Sequence, residues 1–436
     1  MYLAPRKNNI IRLFMRCILL IFTFCNVFCL SVFARNDTIQ LGRSFGLQIS
    51  GFARIDYIYD TRQTSEAVEG LFTFYPLNKQ VDANGDDINA VPRTNLSSIS
   101  SRLCTNFFAP DVLGAKSSAY IEFDFTGTSN TNGIRMRQAW VNLAWEKSNL
   151  LLGRTWHPVA ASCIPNVIAL NTGAPFWAFN RSDQLRFDFK PGQWLLSAIA
   201  LYQSDYASLG PAPGTTTSVK SPTYLRDALL PEFAVNIAYK APKFQTGVVG
   251  SVKTIKPRQY TTAISNGLYS MYKTDEKLTT YVAQAFAQYQ SSGWVFKAQA
   301  TYAQNTTESL MIGGYAVSAF DPQTGHESYT PTKHMNYWVN IDYGKKCQVG
   351  IFAGYLNSLG TIDPVVGDWY ARAPNIKYMY RISPHVFYSL SNWQFGAEFE
   401  YTAAAFGTIE PGSKGKVVGA NEVANLRTNL LLYFFF

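Results

Sequence analysis

The chain has 436 residues, of which 15% are aromatic and only 15% are charged, and its formal net charge is +9. The charged fraction is below the ~25% of average soluble domains, and beyond residue 34 no apolar run reaches the ~20 residues that a membrane-spanning helix needs. Residues 35–436 carry 34 basic and 29 acidic residues, an excess too small and too scattered to indicate nucleic-acid binding.

Residues 1–34 have the features of a secretory signal peptide. Four basic residues and no acidic residue accompany the apolar segment Cys17–Leu30, and Val32-Phe33-Ala34 ends on a small residue. We therefore expect cleavage near Ala34 and a single exported domain over residues 35–436. A membrane anchor is the alternative, but the apolar segment is short for that role.

Three of the six cysteines lie in this leading segment. The others, Cys104, Cys163 and Cys347, are widely spaced and odd in number. Their pattern indicates neither a disulfide framework nor a zinc site.

Gly46–Tyr59 shows the first clear alternation of apolar and polar side chains. Ile55 and Tyr57 belong to one face, whereas Arg54 and Asp56 belong to the other. The pattern predicts a strand of about 14 residues, longer than the ~5–6 residues usual in soluble sheets. Long strands are typical of a tilted membrane crossing.

The remaining predicted strands follow one another as hairpins. They are Leu96–Phe108 with Ala115–Thr126 across a turn at Pro110-Asp111, Ile134–Glu146 with Asn149–His157, Gln184–Lys190 with Gln193–Tyr202, Pro231–Lys240 with Phe244–Ile255, Lys277–Gln290 with Trp294–Asn305, Lys333–Gly344 with Cys347–Asn357, Asn375–Leu390 with Trp393–Phe406, and a last strand, Val423–Phe436.

One end of these pairs has minimal turns and the other has long polar loops. Ser391-Asn392 is an example of the first, and Asp60–Asn95 and Ser204–Leu230 are examples of the second. Transmembrane barrels have this asymmetry, with short periplasmic turns and long extracellular loops. We predict an all-β fold, an antiparallel up-and-down transmembrane barrel of about 16 strands, a size that encloses an aqueous channel.

The segment 158–183 differs from the other loops. It is only moderately polar and contains Pro158, Pro165 and Pro175 beside Phe176 and Trp177. A long segment without regular structure needs a physical reason. We predict that it folds into the lumen and narrows it; a surface loop packed on its own aromatic side chains is the alternative.

The chain ends in the alternating stretch Asn421–Phe436, whose last residues are almost all Leu, Tyr or Phe. An apolar terminus exposed to water promotes association with other chains. A final strand that faces lipid requires an apolar outer face and interfacial aromatic residues instead. A buried last strand of a soluble β-domain is the alternative.

Several stretches together resemble outer-membrane porins of the general sixteen-stranded type, in particular the DcaP-like porins. The stretches are Ser50–Asp60, Arg135–Trp145, Leu151–Pro158, Pro175–Phe189, Ile382–Gly407 and the final LRTNLLLYFFF. The resemblance spans almost all of residues 35–436. It implies a homotrimer, a loop folded into the channel and diffusion of small solutes, often anionic ones.

The polar strand faces contain the candidate functional residues. A lipid-facing Arg or Lys near the middle of the membrane costs ~2–4 kcal/mol, so charged strand residues should point into the lumen. The predicted pore-lining and constriction residues are Arg54, Asp56, Arg102, Glu122, Asp124, Arg137, Arg154, Arg181 and Arg186.

Two interpretations of these charges remain open. Basic residues with Glu122, Asp124 and Asp183 on the opposite side would create a transverse field with a modest anion preference, since rings of Arg or Lys favour anions. Alternatively, the charges neutralise each other on a wide wall and no marked selectivity results.

No pattern indicates an enzyme. The four histidines are isolated from any nucleophile motif, no GxSxG is present, and Glu398 and Glu400 share a strand face that we interpret as pore-lining. No spacing motif supports a cofactor or metal site, including a loop cation site near Asn84–Asp87.

We therefore expect a passive outer-membrane channel for small hydrophilic solutes, in contact with outer-membrane lipid and without a cofactor or nucleic-acid partner. A surface barrel that binds a partner through its loops without transport is the first alternative, and an outer-membrane hydrolase is the second.

Overall fold

The computed structural model describes residues 39–41, 45–127, 133–265 and 268–436, so the predicted signal peptide 1–34 and its cleavage site lie outside the described residues. Across these ranges, sixteen antiparallel strands form one closed barrel. The strands are β1 Phe45–Asp60, β2 Arg102–Val112, β3 Ala115–Asp124, β4 Arg135–Ala144, β5 Ser148–Trp156, β6 Arg181–Phe189, β7 Trp194–Tyr202, β8 Glu232–Lys240, β9 Phe244–Ile255, β10 Leu278–Ser291, β11 Trp294–Gln304, β12 Glu327–Gly344, β13 Cys347–Thr361, β14 Ile376–Leu390, β15 Trp393–Glu410 and β16 Lys416–Phe435.

The barrel closes where β1 pairs with β16, from Phe52 opposite Phe435 to Asp60 opposite Arg427. Gly51 and the terminal Phe436 exchange two backbone hydrogen bonds of 2.9 and 3.1 Å. Inside the seam, the guanidinium of Arg427 contacts the carboxylate of Asp60 at 2.8 Å, and both side chains are fully enclosed. The aromatic terminus predicted to close the barrel does so.

Polarity alternates across the barrel wall as predicted. On β9 and its neighbours, Val248 and Ile237 are half-exposed on the outer face. On the inner face, Gln284 and Asn340 are buried. This arrangement places apolar side chains toward lipid and polar side chains toward the lumen.

The second predicted strand is interrupted. A separate segment, Arg93–Ser97, pairs with the C-terminal part of β1 from Asp56 to Asp60, whereas β2 pairs with the N-terminal part of β1 from Gly46 to Phe52. The turn predicted at Pro110-Asp111 lies instead at Leu113 and Gly114, both of which have positive φ angles of 52° and 72°. Gly114 adopts that conformation at no steric cost, which fixes the turn there.

The long connections contain small elements of their own. They include the hairpins Thr64–Ala67 with Phe72–Pro76, Leu209–Pro211 with Ser218–Lys220 and Tyr260–Ser265 with Leu268–Lys273, the strands Gly313–Phe320 and Trp369–Arg372, the helices α1 Pro158–Ala161 and α2 Thr223–Asp227, and the 3₁₀ turns Thr307–Ser309 and Pro411–Ser413. The short strand Ile39–Leu41 precedes β1 and pairs with its start. Among the described residues, no helix combines the length and apolar character needed to traverse a membrane.

The first long loop, predicted from its polar composition, is folded on itself. The guanidinium of Arg62 contacts the Asp87 carboxylate at 2.7 Å. This hydrogen bond lowers the pKa of Asp87 to about 2. The loop carboxylate is therefore engaged by an arginine rather than free to bind a cation.

A charge on the outer face tests the lipid assignment. Val248→Arg should destabilise the folded barrel by ~2–4 kcal/mol, because Val248 is half-exposed on the outer face near the middle of β9. Reversible folding into phospholipid vesicles, followed by denaturant titration, measures this loss. Val248→Ala is the matched control, and equal stabilities of the two variants would contradict the assignment.

Candidate functional site

The connection between β5 and β6, residues 157–180, lies inside the barrel and is called the constriction loop below. It hydrogen-bonds inward-facing side chains of distant strands. Arg54 of β1 donates an Nη2 hydrogen bond to the carbonyl of Ile168 at 2.8 Å. Glu398 of β15 accepts the backbone N–H groups of Ile168 and Ala169 at 2.6 and 2.8 Å. The prediction of a lumenal loop is confirmed, although residues 181–183 belong to β6.

Further hydrogen bonds fix the constriction loop along one half of the barrel. The donors or acceptors on the wall are Gln284 of β10, Lys297 of β11, Asn340 of β12 and Arg381 of β14. Lys297 and Arg381 donate to loop carbonyls at 2.8 Å each. Together with Arg54 and Glu398, these bonds end on β1 and on strands from β10 to β15, so most of the loop rests against that side. At its start, His157 also contacts Glu232 of β8 at 3.1 Å.

Two wall glycines make room for apolar side chains of the constriction loop. A Cβ atom at Gly354 would lie 2.7 Å from the Cγ atom of Phe176, and one at Gly396 would lie 2.7 Å from the Cδ1 atom of Ile168. Phe176 also packs edge-on against Phe352 at a centroid distance of 6.4 Å. Phe176 and Trp177 are fully buried as a result.

The constriction loop itself contains no Asp, Glu, Lys or Arg. It offers backbone groups, apolar side chains and a few polar side chains such as Asn166 and His157 to the wall, and wall residues supply every Asp, Glu, Lys and Arg in these contacts. The transverse field predicted between opposite charges therefore has no source on the loop.

The predicted charges meet instead on the inner face of β2, β3 and β4. Arg137 donates hydrogen bonds to Glu122 and, at 2.7 Å, to Asp124. Arg135 pairs with Asp124 at 2.9 Å, and Arg102 pairs with Glu122 at 3.4 Å. Glu122 and Asp124 were expected opposite the arginines, but they lie directly beside them, because neighbouring antiparallel strands bring these inward positions together.

This arginine cluster, formed by Arg102, Arg135 and Arg137 with Glu122 and Asp124, contains three cations and two anions. Arg137 is almost fully enclosed, whereas the side chains of Arg102 and Arg135 each remain 22% exposed. Arg135 lies two residues before Arg137 and contacts the same Asp124, but the sequence prediction omitted it. A β-bulge at Arg137 of β4, opposite Glu122 and Phe123, explains how Arg137 and Gln138 both face Glu122.

Arg54 and Asp56 do not line an open passage. Arg54 is 6% exposed and contacts Asp56 at 2.6 Å beneath the constriction loop. Glu398 and Glu400, interpreted as pore-lining carboxylates, are likewise buried there. Glu400 pairs with Arg381 at 3.3 Å. These four groups support the loop rather than face solute.

Arg181 is buried among aromatic rings. Its guanidinium carbon lies 4.9 Å from the ring centre of Trp156, 5.2 Å from that of Phe179 and 5.1 Å from that of Tyr206. Its Nη2 donates to the Tyr206 hydroxyl at 2.8 Å, whereas Nε and Nη1 have no hydrogen-bond partner. Among the described residues, no carboxylate forms an ion pair with it, so Arg181 retains an uncompensated positive charge.

Arg154 and Arg186 are paired locally. Arg154 contacts Asp183 at 3.3 Å and Asp205 at 3.2 Å. Arg154 lies opposite Asp183 on the neighbouring strand, and two positions away Leu152 lies opposite Leu185. Leu152 and Leu185 are exposed on the outer face. Residues two apart share a face of a strand, so alternation does not place Arg154 on the inner wall. Arg186 contacts Asp188 at 2.7 Å. Neither arginine belongs to the arginine cluster.

Within the described ranges, no group of three or more His, Cys, Asp or Glu side chains is arranged to hold a metal ion. The most enclosed histidine pair, His385 with Asp342 at 2.8 Å, lies below the constriction loop. Asp342 also accepts a hydrogen bond from Asn166 of that loop at 3.1 Å. This pair therefore contributes to the support of the loop.

Comparison with solved structures places the fold among outer-membrane barrels. The outer membrane channel DcaP of Acinetobacter baumannii superimposes with a TM-score of 0.62 at 17% identity, over 91% of this chain and 99% of that one. OmpT of Vibrio cholerae gives 0.53 at 10% identity over 92% and 100%. Salmonella typhi OmpF gives 0.50 at 12% identity over 92% and 100%.

No family model and no curated protein matches the sequence. The structural comparisons confirm the predicted resemblance to sixteen-stranded porins at the level of the fold. Identities this low do not transfer a substrate or an activity to this chain.

Enlarging Gly354 tests the packing of the constriction loop. Gly354→Leu should displace Phe176, because even a Cβ atom would approach that ring to 2.7 Å. Displacement should expose Cys163, which is 2% exposed in the loop. In mature protein with Cys104 and Cys347 replaced by Ser, we expect severalfold faster labelling of Cys163 by a water-soluble thiol reagent.

Gly250→Leu is the matched control, since the nearest atom to its added Cβ is 3.8 Å away. Its labelling rate should equal that of the parent protein. An unchanged labelling rate in Gly354→Leu would contradict the packing of the constriction loop against Gly354.

Proposed function

We propose that the protein is a passive channel of the bacterial outer membrane for small hydrophilic solutes. The observation that supports this most directly is the closed sixteen-stranded barrel with an uncharged loop held against one half of its inner wall. Solutes would pass between the constriction loop and the wall formed by β2 to β7. A barrel of ~16 strands is wide enough to enclose water.

The same proposal includes the export, the lipid contact and the assembly of the barrel. Residues 1–34 would direct export and be removed near Ala34, and the apolar outer face would contact outer-membrane lipid. We also propose a homotrimer, as the resemblance implies; a trimer form of the Vibrio cholerae OmpT barrel is among the similar structures, with a TM-score of 0.52.

A modest anion preference is the finer part of the proposal. The arginine cluster has one more cation than anion, and the buried Arg181 adds a charge without a paired carboxylate. The constriction loop adds no charge to offset this excess. Cationic rings in a pore favour anions over cations.

Electrical recording tests the channel directly. Mature protein folded in detergent and added to a planar lipid bilayer should produce stepwise, long-lived conductance increments, because a barrel of ~16 strands with polar inward side chains would enclose a water-filled path. Heat-denatured protein is the control. Inserted, correctly folded barrels without conductance steps would contradict a channel and favour the non-transporting surface barrel.

Removing the exposed members of the arginine cluster tests its role in selectivity. Arg102→Ala with Arg135→Ala leaves Arg137 alone to neutralise Glu122 and Asp124, so the arginine cluster becomes net negative. The anion-to-cation permeability ratio, measured from the reversal potential in a KCl gradient, should fall from above unity toward or below it. An unchanged ratio would disprove the role of the cluster.

Two variants serve as controls for this measurement. Lys116→Ala removes a charge whose side chain is 82% exposed at a turn, and its ratio should remain that of the parent. Arg54→Ala should chiefly alter current noise, since Arg54 supports the constriction loop from beneath.

A further inference from the structure

A cavity lies beside the constriction loop at the end of the barrel that contains the long connections. Its volume is about 370 Å³. Residues of the long connections form much of its lining, and Arg135 and Arg137 of β4 complete it. We call it the external subsite.

Part of the external subsite is apolar. Phe72 comes from the first long loop, Leu170 and Phe179 come from the constriction loop, and Leu310 follows the 3₁₀ turn after β11. Phe72 and Phe179 pack edge-on at a centroid distance of 5.1 Å. These side chains offer a compact apolar surface to a ligand, as small-molecule sites generally do.

The charged lining residues are balanced in number, three acidic and three basic. They are Glu69, Asp205, Glu308, Arg135, Arg137 and Lys220. Four of them are engaged in ion pairs: Glu308 with Lys253 at 2.6 Å, Asp205 with Arg154, and Arg135 and Arg137 with Asp124.

The two remaining charges have opposite signs. Within the described ranges, the Glu69 carboxylate has no ion-pair or hydrogen-bond partner, and Lys220 donates only to the backbone carbonyl of Asp205 at 2.9 Å. Glu69 lies in the loop between β1 and β2, whereas Lys220 lies in the loop between β7 and β8. The circular strand order therefore brings them to the subsite from different sides of the barrel.

Other positive charges add to the positive potential on the side of the external subsite that contains Lys220. Tyr206 lines the subsite and accepts a hydrogen bond from the unpaired Arg181, and Arg135 keeps part of its side chain exposed. The Thr64–Pro76 hairpin that contains Glu69 has no Lys or Arg of its own, and Arg93, which contacts this hairpin, is paired with Glu66 rather than with Glu69. An anionic group is thus favoured near Lys220 and a cationic group near Glu69.

We propose that the external subsite binds zwitterionic solutes with an apolar body, the class that includes hydrophobic amino acids and their short peptides. The carboxylate would face Lys220 and the ammonium would face Glu69, while the apolar body would contact Phe72 and Leu170. A solute with only a negative charge would meet the unpaired Glu69 carboxylate, which disfavours it. The role of the external subsite as a stage on a permeation path rests on the proposed channel function.

The dipeptide Leu-Leu and its capped forms test the subsite. Calorimetric titration of mature protein in detergent should show severalfold tighter binding of Leu-Leu than of N-acetyl-Leu-Leu or Leu-Leu amide. Glu69→Gln should remove the advantage over the acetylated peptide and keep the advantage over the amide. Lys220→Gln should do the reverse, because each variant deletes the partner of one terminus.

The variants are exposed loop substitutions, and heat-dependent mobility in gels verifies that each barrel is folded. Lys116→Gln, at a turn outside the subsite, should bind like the parent protein. Equal binding of the three peptides, or equal weakening of all three in both subsite variants, would overturn the zwitterion assignment. A protein that conducts ions but does not discriminate the peptides disproves only the subsite; one that discriminates but does not conduct disproves only the channel.

Discussion

Lipid offers no hydrogen-bond partner, so every backbone N–H and C=O group in the hydrocarbon layer must find one within the protein. The strands meet this requirement only because β1 pairs with both β2 and β16. Closure also creates an enclosed lumen, where the seam pair Asp60 and Arg427 is buried. The wall polarity, the interior loop and the candidate site all depend on that closure.

Inside the lumen, the charged residues perform two different tasks on two sides. Arg54, Arg381 and Glu398 satisfy backbone groups of the constriction loop, which contributes no charge of its own. The arginine cluster on β2 to β4 neutralises most of its own charge and keeps a small positive excess. An asymmetric lumen results, with a polar support on one side and a weakly basic wall on the other.

Strand alternation predicted the class of fold, the approximate strand number and the inward direction of Arg102, Glu122 and Asp124, whereas Arg137 faces inward because of a β-bulge. It was wrong where local geometry interrupts the period: at the break between Ser97 and Arg102, at the turn near Gly114, and at Arg154. Alternation also failed to predict the first residues of β12, from Glu327. These residues pair with a strand of a long connection instead of facing lipid, so lipid does not impose an alternating polarity on them.

The sequence by itself determined the barrel, because lipid outside and water inside impose opposite polarity on successive residues of each strand. Only the tertiary structure decided which inward charges face solute. Arg54 and Arg102 have the same local pattern, yet one supports a loop from a distant part of the chain and the other lies on the opposed wall. That difference arises from contacts between residues more than a hundred positions apart, which no local periodicity encodes.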